Sequence, residues 1–238
     1  VTDLERLHIQ LETLYVLDEA GDLRFVREPG YALHELDPAP RLWMGRSLEG
    51  NLWRFRDDVP EAVRLEVEAL CRLEPVTDDL ETEPGQRGAI LAALERHAPI
   101  TEKWRGPAYW LPETGIEPRD AVIVTEENAH VLERHFPWKL TSRNSFTTGV
   151  LTASLEGGDA VSICYCAQLT EHASEAGVDT VEVARGRGHA SAAVALWARA
   201  IRARGLQALY STSWENVASR AVARKLGAVL YGEDWSVQ

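Results

Sequence analysis

The stretch Val178-Asp179-Thr180-Val181-Glu182-Val183-Ala184-Arg185-Gly186-Arg187-Gly188-His189-Ala190-Ser191 decides how this 238-residue chain is read. A short β-prone run, Val178 to Val181, leads into a turn with glycine at 186 and 188. From Ala190 onward, Val194, Trp197 and Ile201 recur at the spacing of an amphipathic helix. A strand, a Gly-rich turn and a helix in that order make an anion site. Glycine lets the backbone approach an anion closely, and the free N–H groups of the first helical turn point at it along the helix dipole. Phosphate is the obvious candidate.

Charge placement agrees. Between Val183 and Trp214 stand five arginines, Arg185, Arg187, Arg199, Arg202 and Arg204, and no Asp or Glu, in a chain whose net charge is −12. Arg199 to Arg204 fall late in the helix and complement its C-terminal dipole, whereas Arg185 and Arg187 flank the turn itself. Two other phosphate folds do not fit. No Gly-Lys-Ser/Thr follows the glycines, as a P-loop requires, and the next acid is Glu215, too far on for a dinucleotide fingerprint.

Downstream, Gln207 to Ser213 reads as a strand. Asn216-Val217-Ala218-Ser219 then opens a helix that runs through Lys225-Leu226, stops at Gly227 and precedes a last strand at Ala228 to Tyr231. Upstream, Val150 to Leu155 and Ala160 to Gln168 form a hairpin around Glu156-Gly157-Gly158-Asp159. In its second strand Val161, Ile163, Tyr165 and Ala167 share one face, and Ser162, Cys164, Cys166 and Gln168 the other. That second face could border a pocket, but small core cysteines are the plainer reading.

The first third reads as strands followed by helix. Leu14 to Val16 and Leu23 to Val26 suggest a hairpin, and Arg41 to Phe55 a second one turning at Glu49-Gly50-Asn51. Helical spacing follows from Pro60 through Leu73 and again at Ile90 to His97, separated by an acidic loop from Pro75 to Arg87. A strand near Tyr109 to Leu111, a break from Pro112 to Asp120, and a helix from Glu126 to Phe136 stopped by Pro137 complete the chain. Residues 1 to 119 offer no assignable chemistry. Trp43, Trp53, Trp104 and Trp110 could line a pocket, though large aromatics are more often core.

Composition bounds the rest. No run approaches the roughly 18 apolar residues of a membrane span, and Val1 to Gln10 mixes charged with apolar residues, unlike a signal peptide, so a cytoplasmic location is expected. Three cysteines, with Cys164 and Cys166 lacking a His or Cys cluster around them, fit neither a disulfide framework nor a metal site. The acidic balance opposes nucleic acid and anionic membranes. It would attract cationic small molecules or basic peptides, or serve solubility alone.

Taken together, these residues resemble the GNAT superfamily of acyltransferases. Its coenzyme A signature, Arg/Gln-x-x-Gly-x-Gly/Ala at a strand-to-helix turn, is matched by Arg185 to Ala190, and its Asn-x-x-Ser/Ala with a Lys-Leu-Gly ending by Asn216, Ser219 and Lys225-Leu226-Gly227. The resemblance covers Val150 to Val237. It implies an α+β fold with a mixed, mostly antiparallel sheet flanked by helices, an N-terminal α+β extension over 1–119 and an acyl-CoA-binding catalytic domain over 120–238.

By that resemblance, acetyl-CoA is the acyl donor, with no metal. Val178, Thr180 and Val181 would bind the pantetheine arm and polarise the thioester carbonyl through backbone donors. Arg185, Gly186, Arg187, Gly188, His189, Ala190 and Ser191 would hold the pyrophosphate, with Asn216 and Ser219 beside them. Direct attack by an amine needs a base. Asp179 is preferred over Glu182, Glu171 and His172. Many relatives carry a Tyr seven residues after the motif Asn to protonate the leaving thiolate, but here that position is Ala223. Tyr210, Ser211, Ser213 or Tyr231 could substitute. Asn216 is either a cofactor contact or a plain helix cap. The expected activity is N-acetyl transfer to a small-molecule or peptide amine, with homodimerisation left open. The alternative is a catalytically idle coenzyme A sensor or interaction module.

Overall fold

The computed structural model describes residues 1–113, 116–118 and 120–238. The chain begins with a helix, α1 (Asp3–Leu14), where sequence patterning suggests strands first. The signal for it is local: Thr2 and Glu5 form a reciprocal capping box, and Leu7 and Leu11 fall on one buried face. A two-stranded hairpin follows, β1 (Tyr15–Leu17) with β2 (Leu23–Val26), then β3 (Leu42–Ser47) and β4 (Gly50–Phe55), close to their expected places. Helices α2 (Glu61–Leu73) and α3 (Arg87–His97) and the strand β5 (Lys103–Trp110) complete this half.

After β6 (Ala121–Ile123), the helix expected over Glu126 to Phe136 is only a 3-10 turn at Ala129–Leu132. Pro137, expected to stop a helix, instead starts α4 (Pro137–Thr141). It occupies the first helical position, where a missing N–H costs nothing and a fixed φ helps. The remaining elements are β7 (Leu151–Glu156), β8 (Asp159–Leu169), β9 (Ala173–Thr180), α5 (His189–Ala203), β10 (Gln207–Ser211), α6 (Val217–Lys225) and β11 (Val229–Val237). Both β9 and β11 are longer than their apolar patterns suggest.

Nine strands make one sheet in the order β4-β3-β11-β5-β10-β9-β8-β7-β6. It is mixed and mostly antiparallel, as expected, and helices cover both faces. The parallel pair is β9 with β10. The sheet continues across residue 120: β5 lies between β10 and β11, and β11 pairs in turn with β3.

Alternation along the strands divides the core. Ala208 and Tyr210 pack under α5 with Cys164, Cys166, Val194 and Trp197, while Leu209 between them packs on the other face under Leu7 and Leu11 of α1. Leu42 and Met44 likewise lie under α2 and α3, and Trp43 under α1. Cys164 and Cys166 are thus core residues, and burial pushes the Cys164 thiol well above its ordinary range. Helix α5 is anchored by Trp197 and Ile201, both fully buried, each contributing about 1.5–3 kcal/mol of apolar burial.

Candidate functional site

The parallel pairing of β9 and β10 covers only Ala173 to Glu175 against Gln207 to Leu209. Beyond that β9 stays with β8 as far as Thr180, and β10 stays with β5 as far as Ser211, so the two strands fork. A cavity of about 560 Å³ opens in the fork. Val178, Asp179 and Thr180 of β9 and Tyr210 of β10 form its inner walls. Arg185, Gly186 and Gly188, then His189, Ala190 and Ser191 at the start of α5, close one end, and Asn216 and Ser219 of α6 the other side.

Two residues read from sequence as cofactor contacts lie outside this cleft. The N–H of Val181 donates to the Val161 carbonyl at 3.0 Å, and its side chain packs in the cluster around Val124 and Phe136. Arg187 turns away to Glu156, at 2.8 Å. Because N–H groups alternate sides along a strand, that bond to β8 turns the N–H groups of Val178 and Thr180 toward the forked side. These two remain available to a ligand.

The turn itself has the conformation its glycines permit. Gly186 and Gly188 have φ of +74° and +91°, values that side-chain-bearing residues rarely adopt. Gly188 is the N-cap of α5 and supplies no side-chain cap, so the first-turn N–H groups keep their donors free of one. A Cβ at position 188 would stand 3.1 Å from Lys225 Nζ, so a lysine ammonium overlooks the turn from α6. Sequence reading used Lys225 only to mark a helix end. Arg185 is exposed at the rim, its Nε donating to the Thr180 carbonyl at 3.4 Å. The His189 ring is held by Ser154 Oγ at 2.9 Å and lies 3.4 Å from Glu156.

Asn216 caps α6: its Oδ1 accepts from the Ser219 N–H at 3.0 Å, so the cap accounts for that oxygen without a ligand. Tyr210 is buried, its hydroxyl 2.6 Å from Ser219 Oγ, and burial pushes its phenol up to about 12. Ala223 is buried in the same cluster. Ser211 and Tyr231 face α1 instead, away from the cleft. Asp179 lines the cleft beside Tyr165, whose phenol burial first and then Asp179 raise to about 12. Glu171 and His172 are exposed ahead of β9, at the far end from the turn, and Glu182 is exposed in the 3-10 turn after it.

The residue that sequence reading missed is Glu175. It is 4% exposed, sits at the last paired position before the fork, and faces the α1 side. The Ser211 N–H and hydroxyl both donate to its Oε1, while Oε2 has no partner. Burial pushes its carboxyl up to about 7 despite those two bonds. The sequence signal was weak because the apolar pattern begins the strand at Val178 and leaves Glu175 in a loop. Ser211 also lines a second cavity, of about 550 Å³, on the α1 face. The fork therefore separates two hollows, with Tyr210 lining one and Ser211, which holds the buried Glu175 carboxyl, lining the other.

The site is a cleft in a split sheet, with a Gly-rich turn and an uncapped helix start at one end and a buried carboxyl where the strands part. No family model matches the chain, and no curated protein matches it in sequence. Among solved structures, it is similar to an acetyltransferase of the GNAT family from Colwellia psychrerythraea, at 15% identity and a TM-score of 0.49, over 99% of this chain and 96% of that one. An N-acetyltransferase-like protein from Streptococcus suis is 19% identical, with a TM-score of 0.46, over 64% of this chain and 69% of that one. A GNAT-family protein from Novosphingobium aromaticivorans is 14% identical, with a TM-score of 0.47, over 58% of this chain and 65% of that one. No helix among the described residues is long and apolar enough to cross a membrane.

Proposed function

We propose that this chain is an N-acyltransferase that moves an acetyl group from acetyl-CoA to an amine. The observation that carries the reading is the fork: an anion turn and cleft on one face, and a carboxyl that titrates near neutrality on the other. The residues fit the donor. Glycines 186 and 188, the uncapped start of α5 and the Lys225 ammonium suit a pyrophosphate. The N–H groups of Val178 and Thr180 suit the amides of an extended arm.

Acetyl-CoA, when bound, supplies an acyl group activated as a thioester. Glu175 takes the proton that an ammonium must lose before its nitrogen can attack, directly or through one water. A carboxyl near 7 does this where an ordinary one, near 4.5, holds the proton too weakly. In the transfer the nitrogen–carbonyl bond forms and the carbon–sulfur bond breaks; the nitrogen gives its second proton to solvent and the departing thiolate takes one up from it. Tyr210 holds its own proton more tightly than a thiol does, so its hydroxyl serves by hydrogen bonding. This gives the position left open by Ala223 a substitute on β10, and it is the reason to prefer the enzyme over an idle coenzyme A sensor.

Calorimetry with acetyl-CoA tests the reading. The intact protein should bind it in the micromolar range, Lys225→Glu should weaken that binding, and Glu175→Gln should leave binding intact while abolishing amine-dependent thiol release. Absence of acetyl-CoA binding by the intact protein sinks the acyltransferase.

A further inference from the structure

On the α1 face, Gln10, Trp43, Glu175, Tyr231 and Asp234 form a buried polar group, none more than 4% exposed. Gln10 Nε2 donates to Asp234 Oδ2 at 3.1 Å, and the charges of Glu175 and Asp234 both act on the Tyr231 phenol. Each of the five has an atom without a hydrogen-bond partner: Gln10 Oε1, Trp43 Nε1, Glu175 Oε2, Tyr231 Oη and Asp234 Oδ1. Three of these are pure acceptors and only the indole is a pure donor. The group lacks donors, and it holds two carboxyls.

Such an arrangement is costly unless something answers it, since a buried acceptor without a donor has lost its water and gained nothing in exchange. Asp234 is a carboxyl held well above its ordinary range, by burial first and then by Glu175, with the neighbouring Trp43 indole acting the other way. Arg6, a cation that acts on Tyr231, gives its Nη1 to the Val1 carbonyl and the Asp3 carboxylate and lies over the Trp110 ring, while its Nε is a buried donor without a partner.

The second cavity leads to this group, because Asp234 and Ser211 both line it. Tyr15 and Trp104 give it aromatic walls, and Asp37 and Glu102, both exposed, stand at its outer part. No Lys or Arg is among its described lining residues. Three carboxyls and two aromatic rings in one hollow favour a cation and repel an anion.

We infer that this cavity takes the acceptor, and that the acceptor is an amine carrying a second positive charge, the reacting nitrogen at Ser211 and Glu175 and the other cation at Asp234. This rests on the acyltransferase reading above, and it narrows the amine to a diamine or polyamine class. A plain amine would need only the carboxyl at the fork; the second buried carboxyl and its orphaned neighbours are what a distal ammonium, with three N–H donors, would satisfy. Amino acids would bring a carboxylate against Asp234 and are disfavoured.

Three probes of equal length isolate the distal group: 1,5-diaminopentane, n-pentylamine and 5-aminopentanoate. With acetyl-CoA and the intact protein, kcat/KM for the diamine should exceed that for pentylamine by about tenfold or more, with aminopentanoate slowest. The exposed double variant Asp37→Asn, Glu102→Gln should raise KM for the diamine several-fold and that for the singly charged pentylamine by clearly less. Asp234→Asn, checked for folding by circular dichroism, should erase the preference. Calorimetry of the diamine without acetyl-CoA reads the cavity by itself, so a failed donor site and a failed acceptor inference give different results. Equal turnover of diamine and pentylamine, or diamine binding unaffected by either variant, overturns the inference.

Discussion

Ser211 gives both of its donors, the backbone N–H and the hydroxyl at 2.8 Å, to a single oxygen of Glu175, and leaves the other oxygen unpaired. Ser211 closes the β10 side of the fork and Glu175 the β9 side, so the pair bridges the strands at the point where they part. Two hydrogen bonds to one oxygen favour the ionised form, yet burial outweighs them and the carboxyl titrates near 7.

The pH profile of transfer follows from that balance. Only ionised Glu175 accepts a proton, so kcat/KM should rise with pH through about 7. In Glu175→Gln this limb should vanish and the rate should fall about 10²–10⁴-fold. Initial rates of thiol release from pH 5.5 to 9 check both.

The same group makes stability depend on pH, in the opposite direction. Its folded pKa is raised, from 4.5 to about 7, so the stability it contributes is fully present below 4.5 and is lost as pH rises through 7. At pH 8, Glu175→Gln should therefore be more stable than the parent, by up to roughly 3 kcal/mol. The difference should close toward pH 4.5 in urea titrations.

At the turn, the geometry separates two cations that look alike in sequence. Arg187 pairs with Glu156 outside the cleft, whereas Lys225 overlooks Gly188. Arg187→Ala should change acetyl-CoA affinity less than about threefold, and Lys225→Glu should weaken it about tenfold or more, by like-charge repulsion of the pyrophosphate. Calorimetry at two salt concentrations should show the Lys225 effect shrinking as screening grows.

For Tyr210, removing the hydroxyl deletes the bond to Ser219 and a donor at the cleft wall. Tyr210→Phe should lower kcat by about three- to tenfold with little change in acetyl-CoA binding, a loss matched to one hydrogen bond. Equal losses in kcat and affinity would assign Tyr210 to binding.

A buried ionic network supports the cleft from behind. Arg46 reaches Glu233 at 2.6 Å and Glu74 at 3.2 Å, and Trp214 Nε1 donates to Glu233 Oε1 at 2.8 Å, two residues before the cap of α6. Glu233→Gln should destabilise the fold by about 1–3 kcal/mol, because it weakens the charged bonds from Arg46, Arg105 and Trp214 while Arg46 keeps Glu74. Thermal unfolding measures this.

Much of the site was readable from residues alone, for a local reason. Gly186 and Gly188 at positive φ, the Asn216 cap and the Gly227 stop are each set by neighbours a few positions away, and so is the hairpin around Gly157 and Gly158. The Thr2 and Glu5 capping box was equally local but stood before an apolar run that also suits a strand. Pro137 was ambiguous in principle, since proline both ends helices and begins them.

By itself the sequence determined the strand, the Gly-rich turn and the helix after it, the helix capped by Asn216, and the acidic balance of the whole. Tertiary structure decided the rest. That β5 runs between β10 and β11, that Lys225 reaches Gly188, that Arg187 turns outward, and that Glu175, Tyr231 and Asp234 share one buried space all depend on strand order across long separations. A pKa near 7 for Glu175 has the same origin. No neighbour in sequence raises it; burial beneath α1 does, and only the closed sheet provides that burial.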